Sequence, residues 1–212
     1  MYPVNLNLFG RSCAVIGGGQ VAERKVASLL QAKAIVTVFS PQLTESLTQL
    51  AERKLLSAHL RTYNSGDLAG YFLVICATND PVINRQAALE AKAAKALVNI
   101  VDAPELCDFT VPAQVVRGDL LLTVSTAGHS PKFAKLIRQQ LEKYYGEEYG
   151  IYLELLGKVR SDLQQCLVSS KQRQCFWQDS LDEEILALLA AGKLKEAEEK
   201  IRYATCSIGT ES

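Results

Sequence analysis

Histidine, tryptophan and methionine are scarce in this sequence of 212 residues, which contains two, one and one of them. Neither His59 nor His129 has a cysteine or a carboxylate at a spacing that suits a shared metal ion. The six cysteines are scattered, and no two of them form a C-x-x-C pair. We therefore predict no resident metal site and no disulfide framework, and we expect reduced thiols in a cytoplasmic protein.

Long apolar runs are missing as well. No stretch approaches the roughly 18 residues that a membrane-spanning helix needs, and the first residues lack the basic and apolar regions of a signal peptide. The formal net charge is zero, and the larger basic excess, nine against six acidic residues in 113–178, is small and not interleaved with aromatic residues. We accordingly expect neither a membrane nor a nucleic-acid partner.

The apolar residues, 48% of the chain, fall into short runs that alternate with helical patterns up to residue 101. This alternation predicts an α/β domain with a Rossmann-like parallel sheet wrapped by helices. The predicted strands are Cys13–Ile16, Ile35–Phe39, a weaker Ala58–Tyr63, Phe72–Cys76 and Leu97–Val101, and the predicted helices lie near Val21–Gln31, Leu43–Lys54 and Val82–Ala94.

The pattern changes after residue 102. Two extended runs, Pro112–Arg117 and Leu120–Thr126, flank Gly118-Asp119 and predict a hairpin. Ser130 and Pro131 then open a helix as its N-cap and first residue. Residues 149–203 look helical, with breaks near Ser169-Ser170 and Gly192. We predict three regions: a dinucleotide-binding domain (1–112), a hairpin-plus-helix segment (113–146) and a C-terminal helical domain (147–212).

A glycine turn lies between the first apolar run and the first helical pattern. Gly17, Gly19 and Ala22 satisfy G-x-G-x-x-G/A in that context. The first glycine allows a tight turn, the second lets a pyrophosphate approach the backbone, and the small alanine lets the helix pack on the strand. Helix N–H groups then face the phosphate. The turn predicts dinucleotide binding, and the alternative is an ordinary strand–turn–helix corner.

The second predicted strand ends without the acidic residue that usually bonds the adenosine ribose. Ser40-Pro41-Gln42 follows it instead. Ser40, Gln42 or backbone groups must therefore hold the ribose. No arginine follows immediately to bind a 2′-phosphate, which favours NAD over NADP.

Polar residues also follow the fourth and fifth predicted strands, where a bound nicotinamide would lie. Thr78 follows the fourth strand, and Asn99 and Asp102 belong to the end of the fifth. A carboxylate at residue 102 can accept a proton as a hydride leaves, or can hold an N–H group of a substrate. The alternative is that Asp102 caps a helix or bonds within its loop.

Three further residues have a structural interpretation beside a functional one. His59 lies in a predicted strand, which favours a structural or surface role over metal binding. His129 stands in the turn before a helix and is a candidate ligand contact. Trp177, beside Phe176, predicts packing within the helical tail rather than a stacking platform.

Several longer stretches add specificity to these motifs. They are Tyr2-Pro3-Val4, residues 15–25 (VIGGGQVAERK), Ala77-Thr78-Asn79-Asp80, residues 99–104 (NIVDAP), residues 109–113 (FTVPA) and residues 124–131 (VSTAGHSP). In this order they span residues 1 to about 145. Together they resemble the precorrin-2 dehydrogenase and sirohydrochlorin ferrochelatase family, which makes sirohaem.

The resemblance implies a Rossmann domain, a dimerisation segment that interlocks two subunits in a homodimer, and a C-terminal helical domain. It implies NAD-dependent oxidation of precorrin-2 to sirohydrochlorin, and some members also insert ferrous iron as a substrate. The family's aspartate falls on Asp102. Its cofactor contacts fall on Gly19, Gln20, Val21, Ser40, Pro41 and Gln42, to which we add Gly17 and Thr78.

For the tetrapyrrole we expect contacts at Asn99, Ser125, Thr126, His129 and Lys132. Precorrin-2 carries eight carboxylates, so Arg117, Lys135 and Arg138 are further candidates. The chain departs from the family at three positions. Where this chain has Thr126, bifunctional members can have a serine that is phosphorylated. They also have a glycine where this chain has Ala127, and a small hydroxyl residue where it has His129. Phosphorylation of Thr126 is left open, and His129 is a candidate contact for metal or macrocycle.

Three functions therefore compete. The first is NAD-dependent precorrin-2 dehydrogenation, and the second adds ferrochelatase activity at the same site. The third is an NAD-sensing or tetrapyrrole-binding module without turnover, which the sparse catalytic inventory motivates.

Overall fold

The computed structural model describes the backbone of residues 1–165 and 183–206, and the side chains of residues 1–161 and 183–202. The predicted break at Ser169-Ser170 and the predicted packing of Trp177 lie outside the described residues. The chain forms two compact units, Met1–Val111 and Pro112–Ser212. The division into three regions stays a prediction.

The first unit contains the predicted parallel sheet. Its strands are β1 (Ser12–Ile16), β2 (Ile35–Phe39), β3 (Ser57–His59), β4 (Leu73–Cys76) and β5 (Leu97–Ile100), and its helices are α1 (Gln20–Gln31), α2 (Glu45–Glu52) and α3 (Pro81–Ala93). A 3-10 turn at Pro104–Leu106 follows β5. The strand order is β3-β2-β1-β4-β5, and every pair is parallel. The carboxyl ends of β1, β4 and β5 therefore share one edge, as predicted.

Both faces of this sheet are covered, which explains its continuous apolar runs. Cys13 and Val15 pack with side chains of α1 and α2 on one face, and Ala14 and Ile16 pack with α3 on the other. Burial raises the pKa of Cys13 to about 11 and that of Cys76 to about 12. These thiols therefore stay protonated and act as small apolar side chains, as predicted.

The third strand ends earlier than the sequence predicts, at His59 rather than Tyr63. Beyond it, Arg61 donates to both carboxylate oxygens of Asp67, at 2.6 and 2.7 Å. The phenol of Tyr63 is buried and donates to Glu90 of α3. These side-chain contacts hold residues 60–63 outside the sheet. The apolar pattern in the sequence therefore continues beyond the end of β3. His59 itself stacks on Phe39, with ring centroids 4.8 Å apart.

The hydrogen-bonded carboxylate of Glu90 links the stability of the first unit to pH. Burial by itself would raise the pKa of its carboxyl group, but hydrogen bonds from Tyr63 and from the Leu68 and Gly66 amides lower the pKa below its ordinary value. A carboxylate with a lowered pKa stabilises the fold above its unfolded-state pKa and loses that contribution as the pH falls. Glu90→Gln should cost about 1–2 kcal/mol at pH 7, because one amide oxygen replaces two charged acceptors.

The measurement is urea unfolding of wild type and variant between pH 7 and pH 3. The difference in unfolding free energy should shrink as the pH falls through the lowered pKa of Glu90. Glu52→Gln, which removes an exposed carboxylate at the end of α2, is the matched control and should change little at any pH. A Glu90→Gln effect that is equally large at pH 3 and pH 7 would contradict this account.

The second unit begins with the predicted hairpin of β6 (Ala113–Arg117) and β7 (Leu120–Val124). It continues with α4 (Pro131–Tyr144), α5 (Glu147–Gln165), α6 (Glu183–Ala190) and α7 (Leu194–Cys206). Helix α5 lies so close to the hairpin that a Cβ on Gly150 would be 2.7 Å from the Arg117 carbonyl carbon. The predicted break at Gly192 is confirmed, because that residue has a φ of +73° between α6 and α7.

Within the described residues, membrane-spanning helices and clustered metal ligands are both absent. None of the described helices is long and apolar enough to cross a membrane. No three histidine, cysteine, aspartate or glutamate residues in that part of the chain are grouped so that they could hold a metal ion.

Candidate functional site

The glycine turn connects β1 to α1 at the carboxyl edge of the sheet. Gly17 has a φ of +115°, which side-chain-bearing residues rarely adopt. A Cβ at this position would lie 2.4 Å from the carbonyl oxygen of Ala77. The bare backbone therefore lets the turn after β1 approach the turn after β4. Gly17 also donates its N–H to the Phe39 carbonyl oxygen at 2.9 Å, which ties it to β2.

Gly18 is a constraint that the sequence motif does not include. A Cβ here would meet the Gln42 carbonyl oxygen at 2.1 Å and the Ser40 hydroxyl oxygen at 2.7 Å. The hydroxyl of Ser40 donates to that same Gln42 carbonyl at 2.6 Å and is buried. The Ser40–Gln42 loop thus packs directly against the glycine turn. The sequence could have indicated this close packing, because Gly18 is a glycine at the second position of G-x-G-x-x-G/A, where the motif itself requires none.

Gly19 differs from its two neighbours because a Cβ there would meet no atom within 4 Å. Its backbone is extended, with a φ of −85°, and it is the N-cap of α1 without any side-chain cap bond. Nothing in the packing of the described residues therefore requires a glycine at 19. Open space beside bare backbone and uncapped helix N–H groups suits the pyrophosphate of a dinucleotide. The turn consequently fits the NAD that the sequence predicts.

Gln20 and Val21 are the first two residues of α1, where backbone N–H groups point out of the helix. Ala22 is fully buried against the sheet, as its motif position predicts. Pro41 and Gln42 are exposed, whereas Ser40 is 7% exposed and its hydroxyl hydrogen is already donated. The exposed part of this loop is therefore Pro41 and Gln42, and Ser40 sets its shape.

Thr78 follows β4, as predicted, but its hydroxyl is occupied within the chain. It donates to the Asn84 side-chain oxygen at 2.8 Å and accepts from the Asp80 amide at 3.1 Å. Asp80 in turn caps α3 by accepting from the Val82 and Ile83 amides. The side chain of Thr78 therefore builds the turn after β4, and its carbonyl accepts from the Asn84 side-chain amide at 3.1 Å. Within the described residues, the backbone N–H of Thr78 is what remains for a cofactor contact.

Asn99, a predicted substrate contact, is buried and bonded within the first unit. It is 8% exposed, and its amide nitrogen donates to the Phe109 carbonyl at 2.9 Å and contacts the Cys107 sulfur at 3.6 Å. Both N–H bonds of the amide thus have acceptors inside the unit. Asn99 holds the chain after β5 against the strand, because a buried amide needs such partners.

Asp102 is exposed and has a φ of +65°, a left-handed backbone that is uncommon for residues other than glycine. Throughout residues 1–161 and 183–202, no hydrogen bond or ion pair reaches its carboxylate. The 3-10 turn that follows has Ala103 as its N-cap, without a side-chain bond. The alternative in which Asp102 caps a helix or bonds its loop is therefore not what the structure contains. Strained, unpartnered polar residues of this kind concentrate at functional sites.

The turn before α4 holds the residues predicted to meet the tetrapyrrole in the second unit. The hydroxyl of Thr126 donates to the Ser130 carbonyl at 3.2 Å and accepts from the Ser130 amide at 3.3 Å. Ser125 accepts from the Ala127 amide, and Ser130 caps α4 through the Phe133 amide, as predicted. His129 is exposed at the tip of this turn. Ser125 and Thr126 thus shape the turn that presents His129.

The basic candidates separate into two groups. Arg117 is 18% exposed and donates to the Tyr145 and Glu142 carbonyls at 2.9 and 3.4 Å. It therefore caps the carboxyl end of α4, and its contact with the substrate stays a prediction. Arg138 pairs with Glu142 one turn along the same helix. Lys132 and Lys135 are exposed on the first turns of α4 and are the cations that remain.

Three protein families match consecutive parts of the chain. Residues 4–113 match a family described as "Putative NAD(P)-binding". Residues 117–144 match the central region of sirohaem biosynthesis proteins, and residues 148–204 match the sirohaem synthase dimerisation region. The three matches follow one another in the order that the motifs predict.

Individual proteins agree with these families. The siroheme synthase of Nitrosococcus oceani is 37% identical over 92% of this chain, and that of Methylobacillus flagellatus is 40% identical over 84%. The chain spans about two fifths of each of them, 42% and 38%. A solved structure described as SirC, precorrin-2 dehydrogenase, superposes with a TM-score of 0.81 and 30% identity, covering 96% of this chain and 100% of that one. The chain therefore belongs to the sirohaem-synthesis family.

Proposed function

We propose that this protein oxidises precorrin-2 to sirohydrochlorin with NAD⁺ as the hydride acceptor. The observation that carries the proposal is Asp102, an exposed and unpartnered carboxylate at the sheet edge that also bears the glycine turn. β1 and β5 are two strand positions apart, about 10 Å. The relatives named siroheme synthase and precorrin-2 dehydrogenase support the choice of substrate.

The glycine turn and the loop after β2 would hold the cofactor. In this proposal the backbone of Gly17, Gly19, Gln20 and Val21 faces the pyrophosphate, and the loop at Pro41 and Gln42 holds the ribose. Bound NAD⁺ supplies a hydride acceptor. Among the described residues, the end of β2 has no unpaired carboxylate and no unpaired arginine, since Arg61 and Asp67 pair with each other. A 2′-phosphate would gain no cation there, which supports NAD over NADP.

Asp102 would accept a proton as the macrocycle becomes aromatic. A carboxylate that no other group of the described residues uses is available both to orient an N–H group and to take its proton. We further propose that His129 and Lys132 bind the substrate, with Lys132 attracting its carboxylates. Ser125 and Thr126 support that turn, and we propose no contact for the amide nitrogen of Asn99.

We also propose a homodimer that works in the cytoplasm. The match to a dimerisation region supports the dimer, as do Phe133 and Leu136, which are 54% and 49% exposed on α4. Exposed apolar side chains of this size on one helix are typical of an interface. The free thiols of Cys13, Cys76 and Cys107 support a reducing compartment.

The test is anaerobic oxidation of precorrin-2 by the purified chain with NAD⁺ or NADP⁺. NADH and sirohydrochlorin should form together, with a higher kcat/KM for NAD⁺. Control reactions without protein or without nucleotide should form neither NADH nor sirohydrochlorin. Cofactor and tetrapyrrole binding without oxidation would contradict the proposal and would favour a sensing or carrier module.

Ferrochelatase activity is a second candidate function, which the free carboxylate of Asp102 favours. Inserting iron(II) displaces pyrrole protons, and Asp102 would accept them while iron arrives as a substrate. Sirohydrochlorin and Fe²⁺ should then form sirohaem faster with the wild type than with Asp102→Ala or without protein. Equal rates in the three samples would exclude this addition and leave the dehydrogenase proposal standing.

A further inference from the structure

Strand β5 is an edge strand, and the residues just after the Asp102 turn cover its outer edge. We name residues Cys107–Phe109 the clasp. Asp108 donates its N–H to the Val98 carbonyl at 2.8 Å and accepts from the Val98 amide through its carboxylate at 3.0 Å. With the bond from Asn99 to Phe109, these contacts satisfy edge groups that would otherwise lack partners.

The sulfur of Cys107 is the side-chain link between the clasp and the Asp102 turn, and the Cys107 N–H also donates to the Pro104 carbonyl at 3.2 Å. This sulfur accepts from the Ile100 amide at 3.1 Å. The thiol hydrogen lies within reach of two carbonyl oxygens, that of Ile100 at 3.2 Å and that of Ala103 at 3.3 Å. Ile100 and Ala103 flank the turn, and the Ala103 amide closes it by donating to the Ile100 carbonyl at 3.4 Å. Cys107 therefore contacts the backbone on both sides of Asp102.

The left-handed backbone of Asp102 needs an external constraint. Its own side chain contributes no bond within the described residues, and the bond that closes the turn is long for an N–H···O bond. A residue in this conformation persists where its surroundings over-determine it. In this turn the thiol of Cys107 is the side-chain group that bonds the flanking backbone.

We propose that Cys107 is a positioning residue, which holds the Asp102 turn so that the carboxylate points at the reacting centre. This inference rests on the proposed function, since it assigns Cys107 a part in the turnover that Asp102 supports. Its sulfur both accepts and donates, whereas alanine can do neither. Serine keeps both capacities on a shorter bond, so it should restore part of the constraint.

The test compares Cys107→Ala, Cys107→Ser and Asp108→Ala in the full chain. Cys107→Ala should lower kcat for precorrin-2 oxidation by about tenfold or more, because small misplacements of a catalytic group are costly. The KM for NAD⁺ should stay within about twofold of the wild type. Cys107→Ser should recover most of the lost kcat. Asp108→Ala, the matched control, loosens the same clasp at Val98 and should lower the Tm without a comparable loss of kcat.

Amide hydrogen exchange gives a readout that does not depend on activity. Exchange at Ile100 and Ala103 should accelerate in Cys107→Ala, and exchange at Val98 should accelerate in Asp108→Ala. An inactive wild type would defeat the proposed function, and exchange would still decide whether Cys107 holds the turn. Equal kcat losses in Cys107→Ala and Asp108→Ala, a Cys107→Ala enzyme with normal kcat, or unchanged exchange at Ile100 and Ala103 would each overturn the inference.

Discussion

Asp102→Ala is expected to lower kcat for precorrin-2 oxidation by about 10²–10³-fold, the usual contribution of a general acid or base. The affinity for NAD⁺ should not change, because the glycine turn and the Ser40–Gln42 loop make no bond to residue 102. Removing the exposed carboxylate breaks no bond within the described residues, but alanine tolerates a φ of +65° less well than aspartate, so a small loss of stability is expected. The measurements are single-turnover oxidation, NAD⁺ titration and thermal unfolding of the same preparations.

Two further variants separate the charge of Asp102 from the shape of its turn. Asn tolerates the left-handed backbone that a φ of +65° requires, so Asp102→Asn keeps the turn and removes the charge. It should lose nearly as much activity as the alanine variant. Glu105→Gln, the matched control, removes another exposed carboxylate three residues away and should keep wild-type kcat. Wild-type turnover by Asp102→Asn would remove proton transfer from the mechanism.

Gly19→Ala is expected to weaken NAD⁺ binding by at least about tenfold, which corresponds to 1.4 kcal/mol. The new methyl group would enter the open space beside the bare backbone, where the pyrophosphate approaches. The fold should tolerate it, because no atom lies within 4 Å of that position and the φ of −85° suits alanine. Calorimetric NAD⁺ titration and thermal unfolding test the two halves of this expectation.

Gly17→Ala and Gly18→Ala are the contrasting variants. A Cβ at 17 meets the Ala77 carbonyl and a Cβ at 18 meets the Gln42 carbonyl, so both should destabilise the unit itself. Overpacking, with left-handed strain added at residue 17, should cost about 2–5 kcal/mol in Gly17→Ala. We distinguish Gly19, which leaves space for the cofactor, from Gly17 and Gly18, which the fold itself requires. This distinction would be contradicted if all three variants lost the same unfolding free energy, or if Gly19→Ala bound NAD⁺ with unchanged affinity.

The sheet was predictable because a parallel strand buried on both faces leaves a continuous apolar run in the sequence. β2, Ile35–Phe39, matches its prediction at both ends, and α4 begins at the predicted Ser130 cap. β3 was overestimated because Tyr63 is apolar enough to extend the run, although it is buried beneath α3 rather than in the sheet. Charge alone predicted Arg117 as a substrate contact, but it did not reveal the carbonyls at the end of α4 that this side chain caps.

The sequence by itself determined the α/β architecture, the glycine turn and the position of an aspartate after the fifth strand, because these follow from local periodicity and from residue type. Tertiary structure decided which polar groups remain free. The hydroxyl of Thr78, the amide of Asn99 and the guanidinium of Arg117 are used by partners distant in sequence or across a turn, while the Asp102 carboxylate is used by none within the described residues. A hydrogen bond is satisfied in three dimensions, so its partner cannot be deduced from spacing along the chain.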